Sequence, residues 1–429
     1  MLLQPRIDEN LSTELTHGAA AVVPVNGRPT RSIAVLCLIT SLDVGGAQTM
    51  LYGLLSRMDR TRFAPQVISM VDLERGPLSK TFQTLRIPLR SLGMRPGRPN
   101  PFAVLRLAKW LREDRPDVIS TWLYAADLVG GLAATLAGGI PVAWGIRHGD
   151  LSCEGNKWLT LQTVKACARM SHWLPTRIIC NSEASSKTHV AAGYSVAKMM
   201  VIPNGYDLTM FKPDPAARES VRKELEIPEE TPLIGLVGRF VTLKDHHNFV
   251  QAAALLHRDR PDVHFVLCGD DVTWTNPQLV RWIQEAGIAG RCRLLGTRSD
   301  IPRLTAAFDI ATSSSFGESF ANVIAEAMSC GVPCVATDVG DSARIVGQTG
   351  RVVPAQNPKK LANALRELVE LGRKGRTRLG IAARGRIQEH FDLPDIVMRY
   401  QNLYQELADG TRASSQATGT VKGDVHVRD

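Results

Sequence analysis

The stretch SSSFGESFANVIAEAMSCGVPCVATDVG, residues 313–340, contains a polar loop, a helical segment and an apolar strand in succession. The loop is rich in Ser and Gly and follows the apolar run Ile310–Thr312, and a second apolar run, Pro333–Ala336, comes after the helical segment. A strand, a loop, a helix and a second strand in this order form the repeating unit of a parallel sheet covered by helices. The stretch therefore predicts an α/β fold.

The same alternation of short apolar runs and helical patterns extends over most of the chain. In the first half the predicted strands are Ile33–Ile39, Pro65–Val71, Val118–Ser120, Val142–Ile146, Arg177–Cys180 and Met200–Ile202. In the second half they are Leu233–Val237, His264–Cys268, Arg293–Leu295, Ile310–Thr312 and Pro333–Ala336. Each half begins with a buried strand, a glycine-containing loop and a helix, which indicates two similar domains that face each other. A length of 429 residues also favours two domains.

Composition along the chain predicts the domain boundaries. We expect a mobile tail over 1–30, a first domain over 31–210, a linker over 211–232, a second domain over 233–391, a helix over 392–409 that packs back on the first domain, and a mobile tail over 410–429. The linker is rich in proline and charge, and both tails are polar and lack apolar periodicity.

The overall composition is that of a globular protein with an anionic partner. Hydrophobic residues make up 44% of the chain, charged residues 22%, and the formal net charge is +9. The eight cysteines form no CxxC pair, which favours free thiols, and no secretory signal is recognisable, so we expect a cytoplasmic protein. The uncharged run 128–146 is near the length of a membrane-spanning helix, but Gly138, Gly139 and Pro141 divide it into a helix and a strand.

Two glutamates in the quoted stretch are the strongest candidates for a binding site. Glu318 stands in the Ser/Gly loop, and Glu326 lies within the helical segment that follows. If both were helical they would lie about 12 Å apart, at ~1.5 Å per residue, which is wider than the ~5–5.5 Å carboxylate pair of a retaining glycosidase. This span suits two contacts along one extended ligand, and the free N–H groups at the helix start suit a diphosphate. For two such glutamates taken alone, capping and surface roles are the simpler interpretation.

The stretch resembles the donor-binding motif of glycosyltransferase family 4, in which two glutamates are separated by seven residues. In that family the first glutamate binds hydroxyls of the transferred sugar and the second binds the ribose hydroxyls of the nucleotide, so the resemblance gives these roles to Glu318 and Glu326. It also places Ser319 and Phe320 against the donor. The resemblance covers roughly residues 33–400 and implies the GT-B architecture, an α/β fold with two Rossmann-like domains facing across a cleft. The donor would be held mainly by the second domain.

Two cations follow the first strand of the second half. Arg239 and Lys244 lie in GLVGRFVTLKDHHNF, where fixed cations neutralise a leaving diphosphate without a proton transfer. A surface salt bridge is the alternative for the pair taken alone. The stretch resembles the family's GR....KG motif, whose cations hold the donor phosphates, and the resemblance thus makes Arg239, Lys244 and Glu318 the catalytic residues. Asp245 stands where the family often has glycine.

The first domain and the base-binding loop supply further donor contacts. Gly45 and Gly46 lie at a predicted helix start, where a phosphate can approach the backbone. Most glycine pairs are simply turns, but the family has a glycine-rich loop at this position. The resemblance also assigns His148 to the donor sugar, although a structural histidine fits the sequence nearly as well. In LLGTRSDIPRLTAAFDI, which resembles the family's base-binding loop, the main chain of Thr297 and Arg298 is expected to read the base.

Basic residues are concentrated between 86 and 115 in the first domain. Such a region can contact an anionic membrane at about 1 kcal/mol per basic residue, and a solvated helix face is the equally weighted alternative. No nucleic-acid recognition motif accompanies the charge, so nucleic acid is not an expected partner. We expect no cofactor and no metal, because Asp270-Asp271 is more simply a turn than a metal-binding pair.

Together these features predict a retaining, metal-independent hexosyltransferase. It would move a sugar from a UDP- or GDP-sugar to a glycan or lipid-linked acceptor, in exopolysaccharide or lipopolysaccharide biosynthesis. Two alternatives remain open: a nucleotide-sugar epimerase or sugar phosphorylase of the same fold, and a nucleotide-sugar-binding protein without turnover. The sequence does not define the sugar, the base or the acceptor.

Overall fold

The computed structural model describes residues 31–419, except 74, 75, 77, 96, 98, 99 and 153–155, and for 412–419 it describes the helical backbone alone. The predicted tail over 1–30 lies outside the described residues. Within them the chain forms two parallel sheets, of seven and six strands, with helices on both faces of each.

The first domain contains the seven-stranded sheet. Its strands are β1 (Ile33–Ile39), β2 (Phe63–Val71), β3 (Leu89–Met94), β4 (Val118–Trp122), β5 (Val142–Ile146), β6 (Arg177–Cys180) and β7 (Met199–Val201). Its helices are α1 (Gly46–Arg57), α2 (Ser79–Gln83), α3 (Pro101–Asp114), α4 (Tyr124–Leu136), α5 (Trp158–Met170) and α6 (Glu183–Ala191). The strand order is β3-β2-β1-β4-β5-β6-β7, in which Cys37 of β1 pairs with Val67 of β2 and Ser120 of β4. The order changes direction at β1 and β4, and a crevice forms at the carboxyl ends of such strands.

The second domain repeats this arrangement with six strands. Its strands are β8 (Leu233–Val237), β9 (His264–Cys268), β10 (Cys292–Leu294), β11 (Ile310–Ser313), β12 (Cys334–Thr337) and β13 (Arg351–Val353). The helices after residue 210 are α7 (Pro215–Glu224), α8 (His246–Asp259), α9 (Pro277–Glu285), α10 (Ile301–Ala306), α11 (Asn322–Ser329), α12 (Ser342–Val346), α13 (Pro358–Glu370), α14 (Gly372–His390) and α15 (Leu393–Gly419). The strand order is β10-β9-β8-β11-β12-β13, so the change of direction falls between β8 and β11.

Every strand predicted from the apolar runs is present, with ends shifted by two residues or fewer. The pattern missed β3 and β13, which lie at the edges of their sheets. Both strands are only partly buried, so neither carries the continuous apolar run that marks a central strand.

The uncharged run 128–146 forms most of α4 and all of β5, as the glycines and the proline predicted. Gly130 lets α4 approach β4, because a Cβ atom on this residue would lie 2.5 Å from Cγ2 of Thr121. Across the described part of the chain, no helix is both long and apolar enough to span a membrane.

The segment 211–232, interpreted from its composition as a linker, packs within the second domain. It contains α7, whose buried Val221 shares a core with Phe308 and with Ile324 of α11. Arg222 on the same helix is 2% exposed, and its Nη2 donates to Oδ2 of Asp309 at 2.5 Å. Composition alone does not show this packing, because the apolar stripe of α7 is short and half of its residues are charged.

The last helix, α15, packs against the first domain. Its Tyr400 and Tyr404 are completely buried there, and the hydroxyl of Tyr404 donates to Oγ of Ser120 at 2.9 Å. Tyr400 stacks on Trp122 of β4, with ring centroids 6.0 Å apart. The helix continues to Gly419, past the boundary at 410 that was expected from the loss of apolar periodicity.

Candidate active site

A cavity of about 360 Å³ lies between the two domains, at the carboxyl ends of both sheets. Residues from the two domains share its lining: Gly46, Ala47, Gln48, Leu123, Arg147, His148, Gly149, Asp150, Asn181 and Asn204, and Arg239, Val241, Leu243, Lys244, Gly317, Glu318, Ser319, Phe320 and Asn322. The three residues predicted to be catalytic, Arg239, Lys244 and Glu318, all border this cleft. They meet because β8 and β11 are neighbours in the sheet, although they are far apart in sequence.

The loops after β8 and β11 are pinned to each other. Oγ of Ser314 donates to the carbonyl of Lys244 at 2.9 Å, and the backbone N–H of Phe316 donates to the carbonyl of Leu243 at 3.0 Å. The ammonium of Lys244 forms a salt bridge with Oε1 of Glu318, and Oγ of Ser315 donates to the same oxygen at 2.9 Å. Two donors thus fix the Glu318 carboxylate through one oxygen.

Asp245 retains the backbone conformation that a glycine would adopt after Lys244. It has φ 45° and ψ 56°, in the left-handed region, where aspartate is tolerated better than most residues. Its carboxylate accepts a hydrogen bond from the N–H of Asn248 at 3.1 Å and caps α8. Asp245 therefore forms, without glycine, a left-handed turn directly after Lys244.

Two helices begin at the cleft, one in each domain. Gly45 is the N-cap of α1 and Gly46 its first residue, and Asn322 is the first residue of α11. A Cβ atom on Gly46 would lie 2.7 Å from Nδ2 of Asn322, so glycine is what allows the two helix starts to approach. At the start of α11 the N–H groups of Asn322 and Ile324 already donate to the carbonyls of Phe320 and Ala321, so the free N–H groups that favour an anion in this space come chiefly from the start of α1.

The Asn322 amide has a fixed orientation. Its Oδ1 accepts hydrogen bonds from Nδ2 of Asn204 at 2.9 Å and from the hydroxyl of Tyr206 at 2.6 Å. Its Nδ2 group is thereby turned toward Gly46 and the cleft. We conclude that Asn322 presents a hydrogen-bond donor beside the two helix starts.

His148 lies in the loop after β5 of the first domain, which contacts the loop that contains Glu318. Its Nε2 is buried and has no hydrogen-bond partner among the described residues. The next residue, Gly149, packs so closely on the second domain that a Cβ atom would lie 2.8 Å from Cα of Ser319. His148 therefore borders the cleft, and its contact with the donor sugar stays a prediction.

Ser319 and Phe320 border the cleft, but their side chains have other partners. Oγ of Ser319 donates across the domain boundary to Oδ1 of Asn181 at 2.5 Å. The ring of Phe320 is 4% exposed and packs in the core against Tyr206 and Phe391, with centroid distances of 6.4 and 5.7 Å. Their side chains thus join the domains and fill the core, which a sequence motif does not reveal.

Glu326 does not border the cavity around Glu318. It lies on the second turn of α11, beside a narrow recess lined by Val237, Thr305 and Val323. Burial raises the pKa of Glu326 to about 7, although the positive charge of Lys244 acts in the opposite direction. Glu318 precedes α11 and is not helical, so the 12 Å separation expected for two helical residues does not apply.

Comparison with known families fits this geometry. A family model described as Glycosyltransferase Family 4 matches residues 44–210, and a model described as Glycosyl transferases group 1 matches residues 231–371. The chain is a member of glycosyltransferase family 4. The expected fold class is confirmed as well, because the two facing α/β domains have GT-B glycosyltransferases as structural neighbours.

Individual relatives of this family member differ in what they act on. The UDP-Gal:alpha-D-GlcNAc-diphosphoundecaprenol alpha-1,3-galactosyltransferase of Escherichia coli is 28% identical over 241 residues, which are 55% of this chain and 62% of that one. The D-inositol 3-phosphate glycosyltransferase of Corynebacterium urealyticum is 33% identical over 204 residues, which are 45% of this chain and 48% of that one. The matched regions span less than two thirds of either relative.

Solved structures of similar proteins cover more of the chain. The Anabaena protein HepE in complex with UDP is 26% identical, has a TM-score of 0.75, and is matched over 87% of this chain and 100% of its own. Sucrose-phosphate synthase from Thermosynechococcus elongatus shares the fold. It is 20% identical, has a TM-score of 0.73, and is matched over 89% of this chain and 100% of its own.

In this family member the expected base-binding residues lie away from the cleft cavity. Thr297 is exposed, and the guanidinium of Arg298 donates to Asp300 at 2.7 Å and to Glu224 at 2.6 Å. These hydrogen bonds raise the pKa of Arg298 and tie its side chain to α7. Reading of a base by the main chain at 297 and 298 stays a prediction.

The sequence analysis missed a set of amide side chains in the cleft. They come from four separate segments: Gln48, Asn181, Asn204 and Asn322. Gln48 and Asn322 lie at helix starts, Asn181 directly follows β6, and Asn204 lies in the loop after β7, and these positions are the one sequence signal that marks the four residues. Asparagine is so common at these positions that position alone does not distinguish a ligand contact from a cap or a turn.

Proposed function

We propose that the protein transfers a hexose from a UDP-sugar to an acceptor hydroxyl, with retention of the anomeric configuration and without a metal ion. One observation carries the proposal: Arg239, Lys244 and Glu318 meet in a cleft where two helices begin. Cations and free N–H groups suit the diphosphate, and a fixed carboxylate suits sugar hydroxyls. The UDP bound by HepE favours uridine over guanosine as the base.

Arg239 and Lys244 would hold the diphosphate as its bond to the sugar breaks. A guanidinium and an ammonium group stabilise the developing charge by electrostatic attraction and hydrogen bonds, without a proton transfer. When the donor binds, the ammonium group of Lys244 would donate a hydrogen bond to a phosphate oxygen and keep only part of its salt bridge with Glu318. Oε2 of Glu318, which has no hydrogen-bond partner among the described residues, would accept a sugar hydroxyl.

Retention follows if the acceptor attacks from the side that the diphosphate leaves. Glu318 is held by Lys244 and Ser315 through Oε1, an arrangement that suits a hydrogen-bond acceptor better than a nucleophile. The departing phosphate would then take the proton of the acceptor hydroxyl. The cleft between the domains would keep water away from this step.

The acceptor is proposed to be a glycan or a lipid-linked sugar on the cytoplasmic face of a membrane. The name of the Escherichia coli relative, which includes a diphosphoundecaprenol acceptor, supports the lipid-linked choice. Two exposed apolar residues of α3, Phe102 and Leu105, lie in the basic region 86–115 and support membrane contact there. Part of the charge is neutralised internally, because Arg90 forms a salt bridge with Asp114.

The test is to incubate the purified protein with UDP-sugars and candidate acceptors, with and without EDTA, and to measure UDP release and the product by NMR. We expect an α-linked product from an α-linked donor, at a rate that EDTA does not change. An inverted product would refute retention. Donor isomerisation, or turnover that requires phosphate, would favour the epimerase or phosphorylase alternative.

Site variants connect this activity to the cleft. Lys244→Ala and Glu318→Gln are each expected to lower kcat by about 10²–10³-fold, as loss of a transition-state contact does. Both side chains are partly exposed, so stability should change by only about 1 kcal/mol or less. Lys212→Ala, an exposed lysine outside the cleft, is the matched control. Normal rates in both cleft variants would reject the site.

A further inference from the structure

A second cavity, of about 500 Å³, lies at the opposite edge of the second domain. It is lined by Asp309 and Pro333, which precede β11 and β12, whereas Glu318 and Gly340 of the cleft region follow these strands. Helices α7 and α14 form its sides. The cavity is therefore separated from the cleft by the length of the sheet.

Arginines dominate the polar lining of this cavity. They are Arg218, Arg373, Arg376 and Arg384. The remaining wall is largely apolar and includes Phe308, Val332 and Ile381, of which Ile381 is 68% exposed at the mouth. A space with this lining suits a ligand that has both an anionic group and an apolar group.

The positive charge around this cavity is only partly balanced, because the more exposed Glu229 is shared by Arg218, Arg222 and Arg373. The carboxylate of Asp309 is shared by three guanidinium groups, those of Arg218 at 3.1 Å, Arg222 at 2.5 Å and Arg376 at 3.8 Å. Among the described residues, Arg384 donates only to backbone carbonyls, which include those of Leu208 and Phe211. The other acid in the lining, Asp214, is occupied in capping α7.

Arg376 is the most informative of these arginines. It is 8% exposed, and its Nε is buried without a hydrogen-bond partner among the described residues. A buried guanidinium with an unused donor costs free energy unless a further acceptor is supplied. An anion bound in the cavity would bring negative charge close to this guanidinium group.

We propose that this cavity binds a small phosphate monoester that carries an apolar substituent. A monoester dianion offers three acceptor oxygens to the arginines, and guanidinium groups match phosphate in geometry. The substituent would lie against Phe308 and Val332. This site is independent of the proposed donor site, because it uses no residue of the cleft.

The test is to titrate the full chain with phenyl phosphate, followed by ³¹P NMR and calorimetry. We expect saturable binding that Arg373→Ala weakens at least about tenfold, as for loss of one charge-assisted hydrogen bond. Glu229→Gln should have the opposite effect and strengthen binding, because Glu229 pairs with Arg218 at 2.9 Å and Arg373 at 3.2 Å. Opposite signs in two variants cannot arise from a common loss of folding.

Two control variants locate the bound molecule. Arg378→Ala, an exposed arginine on α14 outside the cavity, and Lys244→Ala in the cleft should both bind phenyl phosphate normally. Absence of binding, equal binding of phenol, or weakening by Lys244→Ala but not by Arg373→Ala would each overturn the proposal. A cleft that fails to bind UDP would leave this result unchanged, so the two proposals fail separately.

Discussion

Asp341 joins the two domains, and its removal should open the cleft. The residue is 4% exposed, and its carboxylate accepts hydrogen bonds from the backbone N–H groups of Glu183 at 3.1 Å and Ala184 at 3.0 Å. These are the first residues of α6 in the first domain, so a second-domain acid caps a first-domain helix. In an open state, water would replace both contacts.

The size of the effect follows from these two bonds. Each hydrogen bond to a charged group contributes about 1.5–3 kcal/mol. When the domains separate, Arg344, whose Nη1 lies 3.5 Å from Oδ2 of Asp341, would still interact with this carboxylate, so part of the energy is retained in the open state. We therefore expect Asp341→Ala to destabilise the closed arrangement by about 2–4 kcal/mol, which is a factor of about thirty or more in the closing equilibrium. The donor KM should rise, because only the closed form completes the site.

Small-angle X-ray scattering measures the opening directly. The radius of gyration of Asp341→Ala should exceed that of the wild type without ligand and return toward it when UDP is added. Asp338→Ala removes an exposed acid from the same loop and should resemble the wild type. The reasoning would be refuted if Asp341→Ala gave wild-type scattering in both conditions and an unchanged KM.

Three other predictions concern the donor side of the cleft. Burial raises the pKa of Glu326 to about 7, so the carboxyl group is mostly protonated below this pH. If the ionised form binds the ribose, the affinity for UDP, measured by calorimetry, should fall about tenfold per pH unit below about 7. The affinity of Glu326→Gln should not show this pH dependence. Asn322→Asp keeps the acceptor for Tyr206 but replaces the N–H donor with a negative charge, so UDP affinity should fall by about tenfold or more while the melting temperature changes little; equal affinity would contradict the assigned orientation. Gly340→Ala should lower the free energy of unfolding, measured with denaturant, by about 1–2 kcal/mol, because residue 340 has a φ of +56°. Its activity should fall by a larger factor than this loss of stability explains, because the new Cβ would lie 2.6 Å from the carbonyl oxygen of Glu318 and displace that loop.

The sequence predicted the general position of the site better than its individual contacts. Arg239, Lys244 and Glu318 follow buried strands, and in a parallel sheet the carboxyl ends of neighbouring strands meet, so their convergence could be expected. Arg298 and Phe320 show the opposite case. Their side chains contact Glu224 and Phe391, which are remote in sequence, and no local pattern reveals such partners.

The sequence by itself determined the two parallel α/β domains, because alternating apolar runs and helical patterns have few other ways to bury their apolar surface. It also determined which loops carry the charged residues, since those loops follow the strands directly. Only the tertiary structure decided that 211–232 belongs to the second domain, that Asp341 caps a helix of the first, and that arginines far apart in the chain surround a second cavity. These features depend on distances between segments that meet only after both sheets have formed. The order of residues along the chain does not specify these distances, so they cannot be predicted from local sequence patterns.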